Sequence, residues 1–141
     1  MAITRADRYT QRGAVEELYS DLPINFDMNP VTGNLARLTN EAAVRASIRQ
    51  IVLAMRGEWP HWPDLGSGVY RALFEPLDAI TGETIRTLIL QSLARNEPRA
   101  TVARVDVVER PQEDGYEVTV WFYLVNSTVL HSVNELLKRI R

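Results

Sequence analysis

No cysteine occurs in this 141-residue chain. Disulfides, thiolate metal sites and cysteine nucleophiles are excluded together, and folding in a reducing compartment is expected. Histidine is nearly as scarce: His61 and His131 are the only imidazoles and lie far apart in sequence. There is no His-Glu-x-x-His zinc motif and no Gly-Lys-Ser/Thr phosphate loop, and Leu65-Gly66-Ser67-Gly68 does not make a nucleophile elbow. An excess of one charge is lacking too. With 16 basic and 18 acidic residues the formal charge is −2, which gives no electrostatic reason to expect nucleic acid as a partner. Apolar runs are only a few residues long, far short of a membrane span. The opening MAITRADRYTQRGAVEEL contains no apolar core of signal-peptide length. These absences predict a chain made and folded in the cytosol, without cofactor, metal, membrane or nucleic acid. No internal repeat or low-complexity tract is visible.

Apolar residues make up 45% of the chain and charged residues 24%, the balance of a globular domain large enough to bury a core. Residues 1–13, with Arg5, Arg8, Arg12 and Gly13, read as a flexible arm, and residues 14–141 as one domain. Ala14 to Tyr19 has the pattern of a turn or two of helix. Leu22, Ile24, Phe26 and Met28 alternate with polar residues, as in a half-buried strand. Asn29-Pro30 and Gly33-Asn34 are turn chemistry, and alternation resumes from Leu35 to Leu38, suggesting an irregular hairpin. Thr39 or Asn40 is placed to cap a helix whose stripe is Val44, Ile48, Ile51, Val52 and Met55, ending at Gly57. Residues 57–68, GEWPHWPDLGSG, hold three glycines, two prolines and two tryptophans, which no regular element accommodates. A short helix follows through Tyr70 to Phe74 and breaks at Glu75-Pro76. Thr81 then caps a helix burying Ile85, Leu88, Ile89 and Leu93, which Asn96 to Pro98 closes.

Two strands come next. Val102 to Glu109 places Ala103, Val105 and Val107 on one face. Tyr116 to Val125 places Tyr116, Val118, Val120, Phe122 and Leu124 on one face, with Trp121 and Tyr123 on the other. The intervening RPQEDG makes them an antiparallel hairpin. In the last segment, Val129, Val133, Leu136, Leu137 and Ile140 have helical spacing, so pattern alone favours a helix. The order of elements predicts an α+β fold, a small mainly antiparallel sheet with helices packed against it.

Catalytic chemistry would have to come from carboxylates. Glu58, Asp64 and Glu75 surround the aromatic loop, and Trp59 and Trp62 are suited to stacking on sugar rings, as a peptidoglycan hydrolase would require. The plainer reading is that Glu58 and Asp64 cap turns while the tryptophans pin the loop to the core. His61, between Trp and Pro, reads as a structural hydrogen-bonding residue, and His131 as exposed.

From Tyr19 to Arg99 the chain resembles the baseplate wedge family of contractile tails, which includes the phage subunit that starts sheath polymerisation and its type VI secretion counterpart. The resemblance is carried, in order, by Leu18-Tyr19-Ser20-Asp21-Leu22, Asn25-Phe26, Pro30-Val31-Thr32-Gly33, Ala43-Val44-Arg45 and Ser47-Ile48-Arg49. It continues in Arg56-Gly57-Glu58, Pro60, Pro63-Asp64-Leu65-Gly66-Ser67-Gly68, Leu73-Phe74-Glu75-Pro76 and Glu97-Pro98-Arg99. The ordered set is far more specific than any one tripeptide. Leu65 departs from a usual aromatic, and Trp59 and His61-Trp62 vary a loop that is often Pro-Phe-rich.

The resemblance implies a structural role and not an enzymatic one. It implies that Glu97, Pro98 and Arg99 seat the subunit on other baseplate wedge proteins, the alternative being that Glu97 and Arg99 pair locally at the helix end. It also implies a domain like the inner part of a tail sheath protein, whose sheet edges accept strands from the first sheath ring by β-augmentation. Trp121 and Tyr123 would then lie beneath a neighbour or beneath this chain's own helices. Six copies per tail baseplate, assembled in the host cytoplasm, complete the implied picture. The final segment would be a strand, against the helical spacing.

Overall fold

The computed structural model describes residues 17–23 and 25–139. The expected arm, the start of the first helical turn, Ile24 and Ile140 lie outside the described residues. In order, the elements are β1 (Ser20–Asp21), β2 (Leu38–Thr39), α1 (Glu41–Leu53), α2 (Val69–Ala72), α3 (Ala79–Asn96), β3 (Ala100–Arg110), β4 (Gly115–Leu124) and β5 (Leu130–Lys138). A single 3-10 turn, Pro111–Glu113, joins β3 to β4. The fold is α+β, as expected.

β3, β4 and β5 form an antiparallel sheet in that order, with β4 in the centre. The alternation of β4 is realised: Tyr116, Val118, Val120 and Phe122 are buried on the inner face. α1 and α3 cover that face, contributing Val44, Ile48, Ile51 and Val52 from one and Ile85, Ile89 and Leu93 from the other. Each such side chain contributes about 1.5–3 kcal/mol on burial, before its conformational cost. Tyr116 also satisfies its hydroxyl, which accepts the Asp78 N–H at 3.0 Å and faces the Asp78 carbonyl at 3.1 Å.

Several expectations are corrected. The final segment is not the helix that its spacing favoured but a strand, as the resemblance implied, with Val120 opposite Val133 and Tyr116 opposite Leu137. Its inner face also carries His131 and Glu135, which pair with Glu41 (3.0 Å) and Arg49 (2.7 Å) of α1. His131 is therefore largely covered, 5.7 Å from the Phe122 ring, and not exposed. In β3 the register shifts between Val102 and Arg104. This bulge turns Val102 inward and leaves Ala103 exposed, the reverse of plain alternation.

α1 stops at Leu53, four residues short of Gly57, and Met55 is exposed. α3 begins at the Asp78 cap, whose carboxylate accepts the Thr81 N–H at 2.7 Å; Thr81 itself is buried inside the helix. That hydrogen bond holds the Asp78 carboxyl below the ordinary aspartate range. Glu17 to Tyr19 is not helical. The first hairpin is irregular, as expected; among the described residues its strand pairing is limited to β1–β2 and a bridge between Met28 and Leu35. Leu22, Phe26 and Met28 are exposed and form no half-buried strand.

Candidate functional site

Three surfaces gather the residues singled out in the sequence. The first is the corner where α3 turns into β3. Glu97 caps the C-terminus of α3, its N–H donating to the Leu93 carbonyl at 2.9 Å. Its carboxylate is buried, only 2% exposed, so it must be compensated from within. Arg99 does this in bidentate fashion: Nε donates to Oε1 at 2.7 Å and Nη2 to Oε2 at 2.8 Å. Burial alone would push the Glu97 carboxyl up, but hydrogen bonds from Arg99 and from Ser47 of α1, with the Arg99 charge, hold it below the ordinary range. The bond to Glu97 in turn raises the Arg99 guanidinium further. Arg99 lies 5.8 Å from the centre of the Tyr19 ring, and its carbonyl accepts the Val125 N–H. The Glu97–Arg99 pair thus joins α1, α3, β3 and the segment before β1. Pro98 and part of Arg99 reach the surface.

The second surface is the GEWPHWPDLGSG loop. Gly57 (φ +85°) donates its N–H to the Pro63 carbonyl at 2.9 Å, closing the loop on itself. Gly66 (φ +109°) presses so close to α1 that a Cβ there would meet the Ala54 oxygen at 2.6 Å. Ser67 is buried, donating to the Val52 carbonyl at 2.7 Å and accepting the Val69 N–H; Ser92 of α3 donates to the Gly66 carbonyl at 2.8 Å. Gly68, left-handed, starts α2. Pro76 offers its carbonyl to the Tyr116 hydroxyl at 3.3 Å, while Phe74 and Glu75 are exposed.

Glu58 accepts the Met55 N–H, and Asp64 stands between Arg56 (3.7 Å) and Arg95 (3.6 Å). The tryptophans do not pin the loop: Trp59 is 48% and Trp62 73% exposed. His61 is exposed as well. Among the described residues no cluster of three or more His, Asp or Glu is placed to hold a metal ion, and no helix is long and apolar enough to cross a membrane.

The third surface is the outer face of the sheet. Trp121 and Tyr123 lie there, away from the helices, with Ala103, Arg104 and Leu130 around a shallow depression. The Trp121 indole donates to Asp106 at 2.9 Å, and the Arg104 guanidinium sits 5.8 Å from its ring. Further along that face, Glu117 binds Asn134 (2.8 Å) and Arg110 (2.7 Å), bonds that hold its carboxyl below the ordinary range.

Sequence reasoning missed Ser92 and Arg95, and it noted Ser47 and Arg56 only as parts of the resemblance, without their partners. Ser92 had a readable signal, a small polar residue on the apolar stripe of α3. The pairing of Arg56 and Arg95 with Asp64 had none, because only the fold brings positions 56 and 95 together there.

Comparison with known proteins agrees with this architecture. A candidate tail lysozyme from Geobacter sulfurreducens superposes with a TM-score of 0.68 at 22% identity, over 74% of this chain and 96% of that one. A chain of the anti-feeding prophage baseplate superposes with a TM-score of 0.60 at 20% identity, over 87% of each. At such identities the likeness concerns the fold. No curated protein matches the chain. The family model for baseplate wedge protein gp25, however, matches residues 39–128, from β2 through the end of the β3–β4 hairpin. The chain belongs to the baseplate wedge protein gp25 family and is a baseplate subunit.

Proposed function

We propose that this subunit docks on neighbouring wedge proteins and offers a sheet edge on which the first ring of tail sheath begins. The observation that carries the reading is the outer edge of β5. Among the described residues it pairs with nothing, and its nine-residue run against β4 has no register shift. Proteins usually blunt such an edge, because its free N–H and C=O groups recruit other strands. β3, the opposite edge, is blunted by its bulge and by Arg104, Asp106, Glu109 and Arg110. β5 has no bulge, and its charges are confined to Glu135 and Lys138 toward its C-terminal end. Beside it runs an open groove of about 640 Å³, lined by Leu38, Arg45, Ala46, Arg49 and Leu53, with room for the side chains of an arriving strand.

Docking on wedge partners is assigned to the corner, where Pro98 and the outer part of Arg99 face outward. The Trp121–Tyr123 patch would lie beneath a neighbour. Six copies in a ring, assembled in the host cytoplasm, fit a subunit whose self-association is templated by other proteins.

The subunit works without catalysis. Glu58 is engaged by a backbone N–H and Asp64 by two arginines, all at the surface. A glycoside hydrolase instead sets its acid in an apolar pocket facing a second carboxylate. The lysozyme description belongs to the Geobacter protein.

The test is removal of this chain from the producing system, with particles viewed by negative-stain electron microscopy. Sheathed tails should vanish, leaving free tail parts or disordered sheath. Complete contractile tails that fail only at the cell wall would overturn the reading and return attention to Glu58, Asp64 and Glu75.

A further inference from the structure

A charged side chain pointing inward from an edge strand is one of the devices that keep other strands away, because a strand docking beside it would strip that charge of water. β5 carries such a residue. Glu135 lies opposite the buried Val118 of β4, on the inner face, and its side chain is only 15% exposed. Here the charge is answered from within the chain. Arg49 of α1 donates from Nε to Oε1 of Glu135 at 2.7 Å, the length of a charge-assisted hydrogen bond.

The groove beside β5 runs past this pair, and its charges close among themselves. Arg49 is held by Glu135, and Arg45 by Glu41 at 2.6 Å. His131, the other inward polar side chain of β5, meets that same Glu41 at 3.0 Å. Two arginines against two glutamates leave no surplus of either sign. The rest of the inner surface is apolar, formed by Val133, Leu38, Ala46 and Leu53. A strand paired with β5 sends every second side chain over this surface, where a further charge would find no partner.

We propose that the Arg49–Glu135 pair opens the β5 edge to a sheath strand whose α1-facing side chains are uncharged and apolar, with Arg49 as the deciding residue. The proposal rests on the reading of β5 as the sheath-receiving edge. With Arg49 in place, the arriving strand covers a neutral, hydrogen-bonded pair. Without it, the same strand seals an unanswered carboxylate into an apolar groove, which is strongly unfavourable. The two partners are not equivalent. Glu135 is short, inward and rooted on the strand being covered. Arg49 is long and 54% exposed, and carries its guanidinium out to water when its partner is removed. A link that merely fastened α1 to β5 would be lost equally from either side.

The test replaces the chain by variants in the producing system. Sheathed and bare baseplate particles are counted by negative-stain electron microscopy, and incorporation of the chain is read by mass spectrometry. Arg49→Gln should incorporate normally yet lower the sheathed fraction by about tenfold or more. Glu135→Gln should lower it by less than about threefold, and the Arg49→Gln/Glu135→Gln double variant should return to that level. In the isolated chain the β5 edge is open to water, so all three should melt with the parent. Equal losses from the two single variants, no rescue in the double variant, or a marked drop in melting temperature for Arg49→Gln would make the pair a structural fastening and overturn the proposal. Ala46→Trp fills the groove, leaves both charges in place and should abolish sheathing. If it does so while Arg49→Gln sheathes normally, the proposal falls and the edge reading stands. If sheathing survives both, the edge reading falls as well.

Discussion

Two regions flank the C-terminal end of α3 and treat their side chains in opposite ways. At the Glu97–Arg99 corner the charges face each other, buried and bidentate, and stitch helices to sheet. In the neighbouring loop the backbone is tied down by small polar groups, while tryptophans and half-satisfied arginines face outward. The difference separates two reasons for a memorable motif. Glu97-Pro98-Arg99 builds the domain before it touches anything else. In the loop, the side chains that hold the frame and those that face solvent are different residues.

That contrast can be broken by stability measurements. Glu97→Ala leaves Arg99 without its buried partner and should cost about 3–5 kcal/mol in chemical denaturation. A loss below about 1 kcal/mol would mean the pair is a solvated ornament. The acid limb sharpens the point. Glu97 binds a proton less readily folded than unfolded. Its contribution is therefore full at neutral pH and is lost as pH falls from the ordinary glutamate value, about 4.3, through the lower folded value. Glu97→Gln should flatten the stability–pH curve in that window; an unchanged curve would assign the acid sensitivity elsewhere. Gly66→Ala comes next, since it puts a Cβ against the Ala54 oxygen at a backbone angle that disfavours side chains. A loss of about 1–3 kcal/mol is expected by thermal melting. Smallest of all, Trp62→Ala should change stability by less than about 0.5 kcal/mol. A loss of 2 kcal/mol or more would make the loop a structural element like the corner and erase the contrast.

Much of the fold was legible because its central pieces are regular. β4 alternates cleanly on both faces, and the stripes of α1 and α3 place their buried residues correctly apart from Met55, which is exposed, and Leu88, which is half-buried. Legibility failed where tertiary partners supply what the pattern lacks. β5 hides its alternation because two of its inward residues, His131 and Glu135, are polar and find partners on α1. Ala103 was misplaced because a bulge inserts an extra residue, which composition does not announce. Met55 continued a helical stripe past a helix that had already ended.

The candidate site divides the same way. Its glycines, prolines and the charged tripeptide stand out in the sequence, and the mutual pairing of Glu97 with Arg99 was one of two readings open there. The outward turn of Trp59 and Trp62 was not legible, since tryptophan in a loop more often anchors it inward. The arginine pair around Asp64 forms only when the loop carrying Arg56 and Asp64 meets Arg95 of α3.

The most direct test of the central claim is a cryo-electron microscopy reconstruction of the baseplate with its first sheath ring attached. The account predicts a strand from the sheath protein hydrogen-bonded along Leu130–Lys138, extending the sheet beyond β5. A sheath ring seated with that edge bare, or on another baseplate protein altogether, would contradict it.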